Sequence, residues 1–134
     1  MAFAGMNYLA ILVAAVAAFA WGAAYYMTLS KQWLAAVGRT EPNKSPTPFI
    51  LSFVALIVMA FVLSGAIGHL GPGQVTVRNG IISGLILWAG FVVTTVFVNN
   101  AYPGRKIMLS IIDSIHWLGV LVIQGAVIGA MGVT

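Results

Sequence analysis

Acidic residues are almost absent: Glu41 and Asp113 are the two in 134 residues, against six Lys and Arg. Only 6% of the chain is charged, where soluble domains carry about 25%. So little charge cannot coat a water-facing surface, which excludes a soluble globule. Cysteine is missing altogether, and with it disulfides and thiolate metal sites. Histidine occurs at His69 and His116, in separate segments, so neither a metal centre nor a cofactor is expected. The net charge of +4 is small and scattered. It is too thin for a nucleic-acid face and suits orientation against an anionic leaflet. Walker and dinucleotide glycine motifs are also absent.

What the chain has is apolar length. It is 61% hydrophobic, with a mean hydropathy of +1.05. Four stretches, about 8–29, 49–68, 77–98 and 107–131, reach the roughly 20 residues that a bilayer-spanning helix needs. The expected fold is therefore all-α and integral to the membrane. It forms one transmembrane domain over 1–134, with four spans and a short interfacial helix in the first loop. The first span has no Lys or Arg before it, and its apolar core exceeds the roughly 7–15 residues of a signal peptide, so it reads as a permanent helix. Thr47 and Pro48 suit the N-cap and first turn of the second helix, and Thr76 suits the cap of the third.

The loops differ in character. In "SKQWLAAVG", Trp33, Leu34 and Val37 share one helical face and Gly38 can end the turn, as in a helix lying at headgroup depth. The second loop, "HLGPGQ", is a tight turn. The first and third loops hold Lys31, Arg39, Lys44, Arg105 and Lys106, leaving Arg78 alone on the opposite side. The positive-inside rule then places both charged loops in the cytoplasm and both termini in the periplasm. The lipid bilayer is the first expected partner.

In lipid, helices associate through close backbone approach and interhelical hydrogen bonds. Ala10, Ala14, Ala18 and Gly22 recur every four residues on the first helix. Gly80 and Gly84 form a GxxxG pair on the third helix, as do Gly125 and Gly129 on the fourth. These glycines mark either tight packing within one bundle or an oligomer face. A homo-oligomer is expected.

The polar residues of the spans carry the functional question. Asp113 and His116 sit about 9 and 13 Å along the fourth helix. With Trp117, Val120 and Gln124 they follow the i, i+3, i+4, i+7 pattern of one face. A lipid-facing carboxylate at that depth would cost several kcal/mol, so the face must look inward. Tyr25 and Tyr26 at the end of the first helix, and Thr95 and Asn99 at the end of the third, come to similar depth. The candidate intramembrane site is thus Asp113, His116, Tyr25, Tyr26, Thr95, Asn99 and Gln124. Asp113 could be a structural residue paired with Arg105, Lys106 or His116. With His116 it could instead form a proton- or cation-linked site in a small transporter or channel. The same face could also meet a larger membrane-protein partner, to which this chain would be an accessory subunit. Trp21, Trp117 and the two tyrosines could line a site for a lipophilic cation. No enzyme is expected and no catalytic residues are assigned. Ser110, Asp113, Ser114 and His116 lie on one helical stretch without a GxSxG turn or free amide donors.

Asn7 opening the first helix, "WGAAYYMTLSKQW" (Trp21–Trp33), "GLILWAGF" (Gly84–Phe91) and "IDSIHWLGVLVIQGAVIGAMG" (Ile112–Gly132) together give a pattern that resembles the four-helix bacterial membrane family known as domain of unknown function 1761. The resemblance implies a small bacterial inner-membrane protein. It implies no activity and transfers no functional residue.

Overall fold

The computed structural model describes residues 6–133. Helix α1 (Tyr8–Thr28) is followed by α2 (Ser30–Val37) and α3 (Thr47–Gly68). Helix α4 (Val77–Leu87) continues through a π-helical turn (Trp88–Val92) into α5 (Val93–Ala101), and α6 (Ile107–Met131) closes the chain. Among the described residues there is no strand. The helices α1, α3, α4–α5 and α6 are each long and apolar enough to cross a membrane. The all-helical, four-span architecture is therefore as expected. The expected periplasmic placement of the chain ends concerns residues 1–5 and 134, which lie outside the described residues.

Local chemistry sets the helix ends. The Asn7 side chain accepts a hydrogen bond from the Ala10 amide at 3.0 Å, capping α1. Its amide group donates to the Met131 carbonyl at 3.1 Å, tying the start of α1 to the end of α6. Thr76 caps α4 as expected, accepting from the Asn79 amide at 3.1 Å. Gly38 ends α2 in the left-handed conformation, at φ +87°. The start of α3 differs from expectation: Pro46 is the N-cap, and Thr47 and Pro48 both lie inside the first turn. Among the described residues no side chain caps the helix, although Ser45 Oγ accepts from the Thr47 amide at 3.2 Å just ahead of it.

The third span is longer than expected, reaching Ala101 through the π turn. Within the turn the Val93 amide donates to the Trp88 carbonyl, five residues back. Thr94 and Thr95 donate their hydroxyls to the Gly90 and Phe91 carbonyls, so those groups keep partners inside the apolar span.

Helix α6 is the axis of the bundle and touches every other helix. Its closest neighbour is α4, and glycine is the reason. A Cβ on Gly80 would run into the Gly125 carbonyl, and one on Gly125 into the Gly80 carbonyl. A Cβ on Gly84 would lie 2.6 Å from the Leu121 carbonyl oxygen, and one on Gly129 would strike the Thr76 backbone. All four glycines are thus consumed by packing inside one chain. That is the intramolecular of the two readings open to Gly80, Gly84, Gly125 and Gly129, and it leaves their faces covered. The alanine stripe of α1 is likewise internal: Ala10, Ala14 and Ala18 are fully buried, among Leu56, Ala60, Leu63, Val120 and Leu121.

Adding a methyl group at this crossing should be costly. Gly80→Ala and Gly125→Ala are each expected to destabilise the protein by about 1–3 kcal/mol, the usual cost of overpacking. Gly90→Ala, with nothing within 4 Å of the new Cβ, should be neutral or slightly stabilising. Thermal unfolding in mild detergent compares the three. Equal midpoints for Gly80→Ala and Gly90→Ala would refute the close crossing.

Candidate functional site

The inward face of α6 is as the periodicity requires. Val120 and Gln124 are fully buried, His116 nearly so, and Asp113 and Trp117 are half-buried. Two residues from the end of α1 reach this face. Tyr26 donates its hydroxyl to Asp113 Oδ1 at 2.7 Å. Its ring also lies 4.8 Å, centroid to centroid, from the imidazole of His116. Tyr25 instead donates to the backbone carbonyl of Ile112, at 2.7 Å. Trp33, on α2, packs edge-on against Tyr26 at 6.0 Å. The apolar surround is supplied by Ala36, Leu109 and Ile112, against which Leu29 and Val37 also pack.

His116 is seated between α1 and its own helix. A Cβ on Gly22 would lie 2.8 Å from His116 Nε2, so the glycine that ends the alanine stripe makes room for the imidazole. Trp117 stacks edge-on at 4.6 Å. The imidazole Nδ1 is buried with no hydrogen-bond partner among the described residues. Asp113 Oδ1 is held by the Tyr26 phenol. Lys106, one of its expected partners, instead donates to the Ala35 carbonyl at 3.2 Å. Among the described residues no Lys, Arg or His forms an ion pair with Asp113. The expected pairing with Arg105, Lys106 or His116 is replaced by a neutral donor, because Tyr26 lies on the face that α1 presents to α6.

The expected cluster is only partly assembled. Asp113, His116, Tyr25 and Tyr26 come together. Thr95 and Asn99 do not: both are exposed, and Thr95 is engaged with its own helix at Phe91. The π turn is the reason. It rotates α5 out of phase with α4, so that Asn100 turns toward α6 and donates to Ser110 Oγ at 3.1 Å. Gln124 shares the face but sits further along α6, where its amide donates to the Leu56 carbonyl at 3.0 Å.

Three tryptophans add contacts that sequence spacing alone does not show. Trp33, expected at headgroup depth, also packs its ring against Tyr26. Trp21 donates its indole N–H to the His116 carbonyl at 2.9 Å, its ring lying over Gly119, where a Cβ would strike it. Trp88, at the start of the π turn, donates to the Ser114 carbonyl at 2.7 Å. Ile112, Ser114 and His116 thus each offer a backbone carbonyl to an aromatic donor from another helix. Glycines make room for two of the buried rings, Gly22 for His116 and Gly119 for Trp21, and they were the available signal for those two.

These contacts rank two tyrosines. Tyr26→Phe removes the hydrogen bond to a carboxylate and should cost about 1.5–3 kcal/mol. Tyr25→Phe leaves the Ile112 carbonyl with its helical partner and should cost about 0.5–1.5 kcal/mol. Unfolding midpoints in detergent give the order. A larger loss for Tyr25→Phe would contradict the role assigned to Tyr26.

A model of a family of proteins of unknown function, DUF1761, matches residues 9–129. No curated protein and no solved structure matches the chain. The matched stretch takes in all but the ends of the described bundle, the Tyr26, Asp113 and His116 cluster included, and the chain therefore belongs to the DUF1761 family of proteins of unknown function.

Proposed function

We propose that this protein is a small inner-membrane protein of bacterial type. In this reading the Asp113, Tyr26 and His116 cluster is a proton- or cation-linked site, serving the movement of a small solute or ion through an oligomer of the chain. It does no covalent chemistry on a substrate. The observation that carries the reading is the half-buried carboxylate of Asp113, set among transmembrane helices and hydrogen-bonded to a phenol. An ionised carboxylate at this depth costs several kcal/mol unless its charge is balanced. Among the described residues no cationic side chain balances it. In this reading the balancing charge is a bound proton or cation. An intramembrane group of this kind is where such coupling is expected.

The test is flux in proteoliposomes, followed with an internal pH dye under an imposed potassium or sodium gradient. The wild-type protein should carry protons or cations faster than protein-free vesicles. Asp113→Asn should fall to the protein-free rate while keeping its helical content and assembly. Wild-type flux in Asp113→Asn would defeat the proposal.

A second reading, an accessory subunit of a larger membrane protein, is favoured by the exposed apolar flank of α4–α5, where Ile82, Leu85, Ile86, Phe91 and Val98 are uncovered. In that case the purified protein carries no flux, and a photocrosslinker placed at Ile86 or Phe91 captures one defined partner.

The orientation belongs to the same proposal: the first and third loops face the cytoplasm and the chain ends the periplasm. The chain has no cysteine, so single cysteines report cleanly. Gln74→Cys should be labelled by a membrane-impermeant maleimide in intact cells, and Asn43→Cys only after lysis. The reverse pattern inverts the topology.

A further inference from the structure

At the end of the bundle that carries the charged loops, α5 and α6 part to leave a groove of about 330 Å³. Phe97, Val98, Ala101 and Ile107 form its apolar walls, Ser110 lies in it, and Arg105 stands beside them. Val98 and Ile107 are more than half exposed on the flank that would face lipid. The Ser110 hydroxyl is already engaged, accepting from Asn100, so the interior of the groove has little polarity left to offer a solute. The two neighbouring cations differ. Lys106 is committed to the Ala35 carbonyl. The Arg105 backbone amide is bonded to the Asn100 carbonyl, which fixes the residue in place. Its guanidinium has no hydrogen-bond partner among the described residues.

An apolar slot flanking a span, with an uncommitted guanidinium where the span meets the headgroups, has the chemistry of a phospholipid with an anionic head. An acyl chain laid along Phe97, Val98, Ala101 and Ile107 would bring its phosphate to the guanidinium fork, which suits two phosphate oxygens at once. We propose that this groove is a binding site for an anionic phospholipid of the leaflet on the charged-loop side, with Arg105 as its headgroup ligand. The charge distribution of the chain agrees, since five of the six Lys and Arg lie at this end, where an anionic leaflet is drawn to them.

Native mass spectrometry of the full chain, released from detergent with phosphatidylglycerol or phosphatidylcholine of identical acyl chains, tests the assignment. Wild type should retain phosphatidylglycerol about fivefold better, the ratio that one cation near an anionic headgroup supports. Arg105→Gln should erase the preference and Arg105→Lys should keep part of it. Arg78→Gln, at the opposite end, should leave the preference at the wild-type value. Ala101→Trp, which fills the groove from an exposed position, should lower retention of both lipids with an unchanged circular dichroism spectrum. Equal retention of the two lipids by wild type, or a preference that survives Arg105→Gln, overturns the proposal. So does a doubled mass that Ala101→Trp abolishes, because a second copy of the chain would then be the occupant.

Discussion

Helix α4 can lie against α6 only because neither carries a side chain where they cross. Gly80 and Gly125 meet backbone to backbone, and Gly84 and Gly129 extend the contact one turn to either side. Between helices bathed in lipid there is little hydrophobic drive, so the dispersion gained at such close range is a main source of cohesion. The rest follows from where this crossing leaves the two chains. It sets Trp88 opposite the Ser114 carbonyl and carries the helix into the π turn. Beyond the turn, α5 presents Asn100 to Ser110. The alanines of α1 then fill the other flank, against α3 and α6.

Four aromatic donors inside the bundle act alike. Each packs its ring between helices and gives its one polar atom to α6. Trp21, Tyr25 and Trp88 go to backbone carbonyls, and Tyr26 goes to Asp113. Asp113 stands apart in this set. It receives the same kind of donor as the carbonyls, although it is the one acceptor there that can carry a full charge. His116 packs between Tyr26, Trp117 and Gly22, so the phenol that serves the carboxylate also lies against the imidazole.

Much of this was legible in the sequence, for reasons that can be named. Span length and charge scarcity gave four helices, because a bilayer tolerates little else. The i, i+3, i+4, i+7 spacing gave the inward face of α6, because an unbroken α-helix keeps its phase. Thr95 and Asn99 were misplaced because that assumption fails at Trp88–Val92. One extra residue in a turn rotates all that follows by about 100°, and hydropathy does not register the change. The packing of Trp33 against Tyr26 was illegible for another reason. A tryptophan beside a membrane surface has the same composition signal whether or not its ring meets another helix, and only the fold brings Tyr26 to it.

The aromatic contacts on α6 are one-sided in a way that matters for how the protein tolerates change. A backbone carbonyl cannot be substituted away. Replacing Ile112, Ser114 or His116 leaves the acceptor in place, whereas replacing Trp21, Tyr25 or Trp88 removes the donor and the ring that excludes lipid from it. At these three carbonyls the hydrogen-bonding half of the docking is therefore written on the neighbouring helices, while the glycines of α6 supply the close approach. This frees the side chains at Ile112, Ser114 and His116 to be chosen for other purposes, and the imidazole of His116 occupies one of the positions so released.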